Sequence, residues 1–299
     1  MRLTLAILAA SGLLGLGSAA RAQDGVAVGG GSLPLFVQDT ATGFGNATGG
    51  GQDSSGGSEI NAVYGDYDAG TGTLNIGLTG NLEGNFNKLF LFLDGVAGGE
   101  NSLDGTNLDG GFNEIQNLSG LTFDSGFTAD HGLRFEIGSG FVGVNSFDLI
   151  DDTAASVTSA GGPGDLPLVS AGTGGILVGW DNSNILGVDD ITAAGALTAT
   201  TGIELQIDAA SLFGAVPTQD IGIAGFITSS DAGFVSNQVI GGLGPGAANL
   251  GAGGGIDFSS ITGNQFVTVN VPTVAIPEPS SVALLGLVAG GAMSRRRRR

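Results

Sequence analysis

The chain has 299 residues, of which 28 are acidic, nine are basic and 58 are glycine. Seven basic residues lie at the two ends, so residues 23–276 carry 27 acidic and two basic side chains, a net charge of about −25. This charge repels phosphate backbones, which proteins hold with clustered lysine and arginine, and it excludes nucleic acid as a partner. Because 41% of the residues are hydrophobic and only 12% are charged, the composition also excludes general disorder.

Residues 1–22 have the three-part organisation of a secretory signal peptide. One early basic residue, Arg2, precedes an apolar run from Leu3 to Leu16. The small-residue sequence Ala-Arg-Ala then ends at Ala22, directly before Gln23. This pattern predicts a signal helix that signal peptidase removes between these two residues, and it implies export.

The body of the chain contains recurrent strand-like segments bounded by glycine, asparagine and aspartate. In TLNIGLT (73–79) apolar side chains recur every second residue, and GIELQID (202–208) repeats the pattern with Ile203, Leu205 and Ile207. This period of two predicts antiparallel strands with one face on a core and the other in solvent. The other clear segments are INAVY (60–64), NKLFLFLD (87–94), GLRFEIG (132–138), FVGVNSFDLI (141–150), GILVGWD (175–181), IGIAGFIT (221–228) and QFVTVNV (265–271).

These segments follow one another without a linker-like break. We therefore predict one all-β domain over residues 23–276, a single large antiparallel β-sandwich of the jelly-roll type. A helical pattern is confined to a turn at 208–214, which Asp208 is placed to cap. The glycine-rich stretches 29–58 and 241–256 are predicted to be loops.

Catalytic signatures are weak in this sequence. The single histidine, His131, follows Asp130, but no nucleophile motif such as G-x-S-x-G accompanies it, so we interpret His131 as a turn residue. With 27 acids in the body, a pair at the spacing of a glycosidase arises by chance. We predict no catalytic residue. One histidine and no cysteine also argue against a transition-metal site.

Calcium is the cofactor that the acidic turns suggest. Asp66 and Asp68 lie two residues apart in GDYDAGTG, a spacing that can direct two carboxylates at one hard cation. The alternative is that such acids form turns by hydrogen bonding to their own backbone, and both interpretations stay open. Further groups of oxygen-bearing side chains are Asp104, Asn107 and Asp109, then Asp151 and Asp152, then Asp189 and Asp190.

The C-terminal end has three parts: Pro277-Glu278-Pro279, an uncharged and mostly apolar run over residues 280–294, and five arginines. Fifteen helical residues cover ~22 Å, short of the ~30 Å hydrocarbon core, which the bilayer tolerates when arginines extend to the interface. We predict a short transmembrane helix that anchors the chain transiently in the inner membrane. By the positive-inside rule, the cytoplasmic stop consists of Arg295, Arg296, Arg297, Arg298 and Arg299.

This arrangement over residues 277–299 resembles the PEP-CTERM sorting signal. The resemblance implies a Gram-negative bacterium that makes extracellular polysaccharide, and an exosortase that cleaves near the Pro-Glu-Pro sequence. It also implies a final place at the cell surface or in the extracellular matrix. In this interpretation Pro277, Glu278 and Pro279 are a processing substrate and not an active site.

Two stretches of the body, residues 64–99 and 202–214, are similar to the sandwich of DOMON domains and family-9 carbohydrate-binding modules. The resemblance implies the fold and an extracellular polysaccharide as a candidate ligand. Sugar-binding members stack tryptophans, whereas this chain has only Trp180, with Tyr64 and Tyr67 as the other rings that carry a polar group. We expect a non-catalytic structural or polysaccharide-binding protein. A secreted carbohydrate-active enzyme with unidentified acidic residues, or an adhesin or matrix subunit that binds proteins, are the alternatives.

Overall fold

The structure of the protein, a computed structural model, describes residues 28–29, 31–44, 58–105, 113–138, 141–158, 168–169, 175–188 and 190–272. The predicted signal peptide (1–22), the predicted membrane segment (280–294) and the arginine cluster lie outside these ranges. Within them, no helix combines the length and the apolar character that a membrane crossing needs.

The described chain consists mainly of strands, which confirms the all-β class. The strands are β1 (Phe36–Val37), β2 (Glu59–Asp68), β3 (Thr73–Asn81), β4 (Lys88–Asp94), β5 (His131–Gly138), β6 (Phe141–Asp148), β7 (Thr153–Thr158), β8 (Leu168–Val169), β9 (Ile176–Trp180), β10 (Gly202–Asp208), β11 (Ile221–Thr228), β12 (Phe234–Val239), β13 (Gly251–Ala252) and β14 (Val267–Val269). The helices are α1 (Asn113–Gln116), α2 (Ala193–Ala196) and α3 (Ala209–Phe213), with 3₁₀ turns at Gly253–Gly255 and Phe258–Ser260.

The strands form two antiparallel sheets. The six-stranded sheet has the order β1-β2-β3-β10-β9-β8. The eight-stranded sheet has the order β13-β12-β11-β4-β5-β6-β7, and β14 pairs with the start of β11. Neighbours that are distant in sequence, such as β3 with β10 and β4 with β11, make the two sheets depend on contacts across the whole body.

One hydrophobic cluster takes side chains from both sheets. Leu74, Ile76 and Leu78 of β3 point into it, as their spacing predicts, and so do the apolar residues of β10. From the eight-stranded sheet it receives the odd-numbered leucines of β4 and Phe135 of β5. The period-two prediction is therefore confirmed for the inward faces of these strands.

The outer face of the eight-stranded sheet is also buried, contrary to the expectation of a solvent-exposed second face. Phe90 and Phe92 of β4 alternate with the leucines and pack with Phe226. The segment between β4 and β5 covers them, since the Phe123 ring lies edge-on to Phe92 at 4.9 Å. A phenylalanine-rich second core therefore explains why β4 is apolar on both faces.

The predicted helical turn is α3. The Asp208 carboxylate accepts a hydrogen bond from Ser211 N at 3.1 Å, and Gly214 ends the helix with a left-handed φ of 69°. The Phe213 ring then packs so closely on Gly95 that a Cβ there would lie 2.7 Å from Cζ. This contact brings α3, at the end of β10, beside the end of β4, and β14 also ends there, against the start of β11. We call this the tail end.

Candidate functional site

Two of the three predicted sugar-stacking rings belong to the core. Tyr67 and Trp180 are buried in the cluster to which both sheets contribute, where the ring centroids of Trp180 and Phe135 lie 6.0 Å apart. Tyr64 alone is half-buried and lies on the outer face of β2. A platform of three aromatic rings is therefore not formed.

The outer face of the six-stranded sheet instead carries a patch of polar side chains, which we call the polar face: Tyr64, Asp66, Asn75, Glu204 and Gln206. Strand register brings them together. Tyr64 and Glu204 both pair with Gly77, and Asp66 and Gln206 both pair with Asn75. A small cavity lies between Tyr64 and Glu204, and the backbone of Gly77 forms part of its lining.

Several hydrogen-bonding groups of the polar face remain open. Asn75 Nδ2 donates to Asp66 Oδ2 at 3.0 Å, while the Tyr64 hydroxyl and the Gln206 amide have no hydrogen-bond partner in the described part of the chain. Burial raises the pKa of Tyr64, so its hydroxyl stays a donor. These groups are fixed on paired strands and can receive a ligand with hydroxyl or amide groups.

The N-terminal segment closes one side of this patch. Val28 N donates to Thr200 O at 2.9 Å. The Val28 side chain packs against Gly77, so closely that a Cβ on Gly77 would lie 2.6 Å from Val28 Cγ1. The Tyr64 ring lies against Gly29, so closely that a Cβ on Gly29 would lie 2.5 Å from Cδ1 of the ring. Gly29 and Ser32 of this segment line the cavity together with Tyr64, Asp66, Asn75 and Glu204.

Both basic side chains of the body are buried. Lys88 is 2% and Arg134 is 5% exposed. Lys88 Nζ contacts Glu136, and Arg134 NH1 lies 2.7 Å from Glu114 Oε2, so two cations and two anions form one cluster at the outer face of the eight-stranded sheet. Residues 23–276 contain no other lysine or arginine, and the exterior of the body therefore displays no basic side chain.

His131, predicted in a turn, is the first residue of β5, so that prediction is wrong. Its ring packs edge-on against Phe213 at 5.4 Å. Burial lowers the pKa of His131, with Asp148 and Asp130 opposing the shift. Asp130 is fully buried, and its Oδ2 accepts hydrogen bonds from Gly95 N at 2.7 Å and Val96 N at 2.9 Å. His131 and Asp130 therefore contribute to the packing of the tail end.

The candidate calcium ligands Asp66 and Asp68 share the outer face of β2. Asp68 Oδ1 accepts a hydrogen bond from Gly70 N at 2.8 Å, the turn-forming role considered from the sequence. In the described ranges no three acidic or histidine side chains converge as metal ligands would. Asn107, Asp109 and Asp189 lie outside those ranges. Calcium binding at Asp66 and Asp68 stays a prediction.

The PEP-CTERM protein-sorting motif matches residues 275–299, which confirms the predicted sorting signal. No curated protein and no solved structure matches the chain. The motif, on an all-β body, defines an exported protein that an exosortase-type enzyme sorts to the cell surface or the extracellular space. The similarity of residues 64–99 and 202–214 to DOMON and family-9 modules stays a prediction.

Proposed function

We propose that the exported body is a non-catalytic component of the extracellular matrix that binds neutral polysaccharide through the polar face. In this proposal signal peptidase releases the chain at Ala22, residues 280–294 hold it briefly in the inner membrane, and the exosortase then cuts near Pro277–Pro279. The observation that carries the proposal is the set of open hydrogen-bonding groups on the polar face.

The chemistry of this face favours a sugar that carries no charge. Hydroxyl groups of a glycan can donate to Asp66 and the Asn75 oxygen, and can accept from the Tyr64 hydroxyl and the Gln206 amide. The Tyr64 ring adds an apolar surface next to them. An anionic polysaccharide would meet carboxylates and no exposed cation, which opposes its binding.

We further infer that the body is a two-layer β-sandwich. The support is that the facing sides of both sheets contribute to one hydrophobic cluster, as packed sheets do. The polar face would then be the outer surface of one layer, held rigid by the core beneath it.

The mature protein, purified after export from its own host, is tested for retardation on a neutral β-glucan and on anionic alginate. We expect binding to the glucan and none to alginate. Tyr64→Ala and Gln206→Ala should each weaken binding about fivefold, the effect of one lost hydrogen bond of ~1 kcal/mol. Gln116→Ala is the matched control because Gln116 is exposed on α1, on the other sheet.

The polar face is rejected as the site if Gln116→Ala weakens glucan binding equally, or if neither polar-face substitution changes it. Release of reducing ends from either polysaccharide would favour the alternative of a carbohydrate-active enzyme. Retention on alginate as strong as on the glucan would contradict the charge argument.

A further inference from the structure

An exposed apolar surface lies in the segment between β9 and β10. Ile185, Leu186, Ile191 and Leu197 are between 41% and 70% exposed. They make up four of the ten large exposed hydrophobic side chains in the described chain, within thirteen residues of sequence. Soluble proteins rarely leave such side chains grouped in solvent unless the surface meets a partner. We call these four residues the apolar end.

The segment that carries them is firmly attached to the six-stranded sheet. The Asn184 oxygen accepts hydrogen bonds from Thr200 N and Thr201 N, each at 3.0 Å. Its amide nitrogen donates to Gly80 O at 2.9 Å and to Thr201 O at 2.7 Å. One buried side chain thus joins the start of the segment to its end and to β3.

The segment also folds back on itself. Gly187 approaches Ala199 N so closely that a Cβ would lie 2.3 Å away, and Thr192 caps α2 by accepting from Gly195 N at 3.2 Å. Because these contacts fix the backbone, the exposure of the four side chains is a property of the folded surface.

The apolar end lies opposite the tail end. β10 begins after the apolar segment and finishes at Asp208, next to Phe213 and Gly95 of the tail end. Its seven residues separate the two ends by roughly 20 Å. The apolar end is therefore at the opposite end of β10 from the last described residues of the chain.

We propose that the apolar end binds a protein partner whose apolar contact surface is bordered by lysine or arginine side chains. Asp181 precedes the four apolar residues in sequence and Asp190 lies among them, and the exterior of the body offers no basic side chain to balance these aspartates. A second copy of this chain would bring acids against acids. A partner with a basic border would pair with the aspartates while it covers the apolar side chains.

The probe is a fluorescently labelled amphipathic peptide of leucine and lysine, added to the purified mature protein. Two further peptides, one with glutamate in place of lysine and one with serine in place of leucine, separate charge from apolar contact. We expect only the leucine–lysine peptide to bind tightly. The triple variant I185S/L186S/I191S should weaken it tenfold or more, since tenfold is only ~1.4 kcal/mol, less than the burial of one such side chain contributes.

The matched control is L33S/V216S, which removes two exposed apolar side chains outside the segment, and circular dichroism checks that all variants keep the strand signal. Equal loss in the control, or equal binding of the glutamate or serine peptide, overturns the proposal. Concentration-dependent dimerisation that the triple variant abolishes would assign the surface to a second copy. Binding to uncharged phosphatidylcholine vesicles that the triple variant abolishes would assign it to a lipid surface. Either result also overturns the proposal.

Discussion

At the scale of single residues, His131 should control how stability changes near neutral pH. Burial lowers its pKa in the folded protein from 6.5, so the unfolded chain takes up the proton first as pH falls. The stabilising contribution is therefore complete above about pH 6.5 and is lost as pH falls toward the lowered folded value. We expect His131→Phe, which keeps a ring beside Phe213, to remove this loss in urea unfolding between pH 7.5 and 5.

Because the chain has one histidine, its imidazole proton resonance can be titrated without overlap. A midpoint below 6.5 supports the argument. A midpoint at or above 6.5, or an unchanged pH dependence in the variant, contradicts it.

Asp130 should have the opposite effect on how stability depends on pH. Burial raises its pKa, with the Gly95 and Val96 N–H groups opposing, and its Oδ1 has no hydrogen-bond partner. The stability from the neutral form is present below the unfolded pKa of about 3.8 and is lost as pH rises through the folded pKa. Asp130→Asn keeps an acceptor for the two N–H groups and stays neutral, so its stability relative to the native protein should increase between pH 3 and 7.

Asp130→Ala is the comparison, because it leaves both backbone N–H groups without their acceptor. We expect a loss of about 1–3 kcal/mol in the free energy of unfolding. A difference between Asp130→Asn and the native protein that is the same at pH 3 and pH 7 would show that ionisation of Asp130 has no effect on folding.

The sequence around Trp180 predicts the burial of its ring. Ile176, Val178 and Trp180 have the period of two that marks an inward face, so the burial of Trp180 was predictable. The placement of His131 was not, because the start of a strand depends on its register with β4, where His131 pairs with Leu93.

At the scale of elements, the buried charge cluster fastens α1 to the eight-stranded sheet. Lys88→Met should lower the free energy of unfolding by about 3–5 kcal/mol, because it leaves Glu136 without its closest cation. The double variant Lys88→Met/Glu136→Leu should lose less than the single variant, since apolar side chains can replace a buried pair at little cost. Urea unfolding of both variants measures the difference. Additive losses would mean that the two side chains stabilise the fold independently.

The strands that alternate were predictable from sequence, and those stabilised by polar contacts were not. All nine predicted segments contain a strand. β12 was missed because its buried residues include Ser236 and Gln238, whose polarity is typical of loops. Gln238 accepts from Ile60 N at 3.2 Å and donates to Thr40 O at 3.0 Å, partners roughly 180 and 200 residues away. No local pattern contains that information.

At the scale of the whole molecule, the sorting motif predicts a mature protein shorter than its gene product. Val271 is the last buried residue in the described part of the chain, and the motif begins four residues later, so cleavage near Pro-Glu-Pro leaves the described body intact. We expect intact-mass spectrometry of the protein from its host surface to find a chain that begins at Gln23 and lacks residues 280–299. A surface population that retains the five arginines would contradict processing.

The polar face and the apolar end could not be predicted from the sequence, because each depends on the arrangement of distant segments. The residues of the polar face come from β2, β3 and β10, and only the pairing of β3 with both neighbours joins them. Asp66 was singled out, but as a metal ligand. The absence of exposed cations was visible in the composition, yet it became a property of the surface only when Lys88 and Arg134 proved to be buried.

That surface makes the stability of the whole body sensitive to salt. With about −25 charges on residues 23–276 and both basic groups inside, mutual repulsion of the acids opposes the compact state. Raising sodium chloride from ~0.01 to ~1 M shortens the screening distance from ~30 to ~3 Å. We therefore expect the melting temperature of the mature protein to rise steadily with sodium chloride, and an unchanged or lower value would contradict the repulsion argument.

A comparison of calcium with other salts distinguishes general screening of the acidic surface from binding at a specific site. If Asp66 and Asp68 hold the ion with a Kd of ~0.1–1 mM, a few millimolar calcium adds ~1–2 kcal/mol to the folded state, because the unfolded chain does not preserve the pair. We expect the melting temperature to rise more in calcium chloride than in magnesium chloride at equal ionic strength. Asp66→Asn should remove that excess and keep the sodium chloride response. Equal rises in the two divalent salts would contradict a calcium site. Asp68 would then act only as a turn residue, through its hydrogen bond to Gly70, and Asp66 only as a member of the polar face.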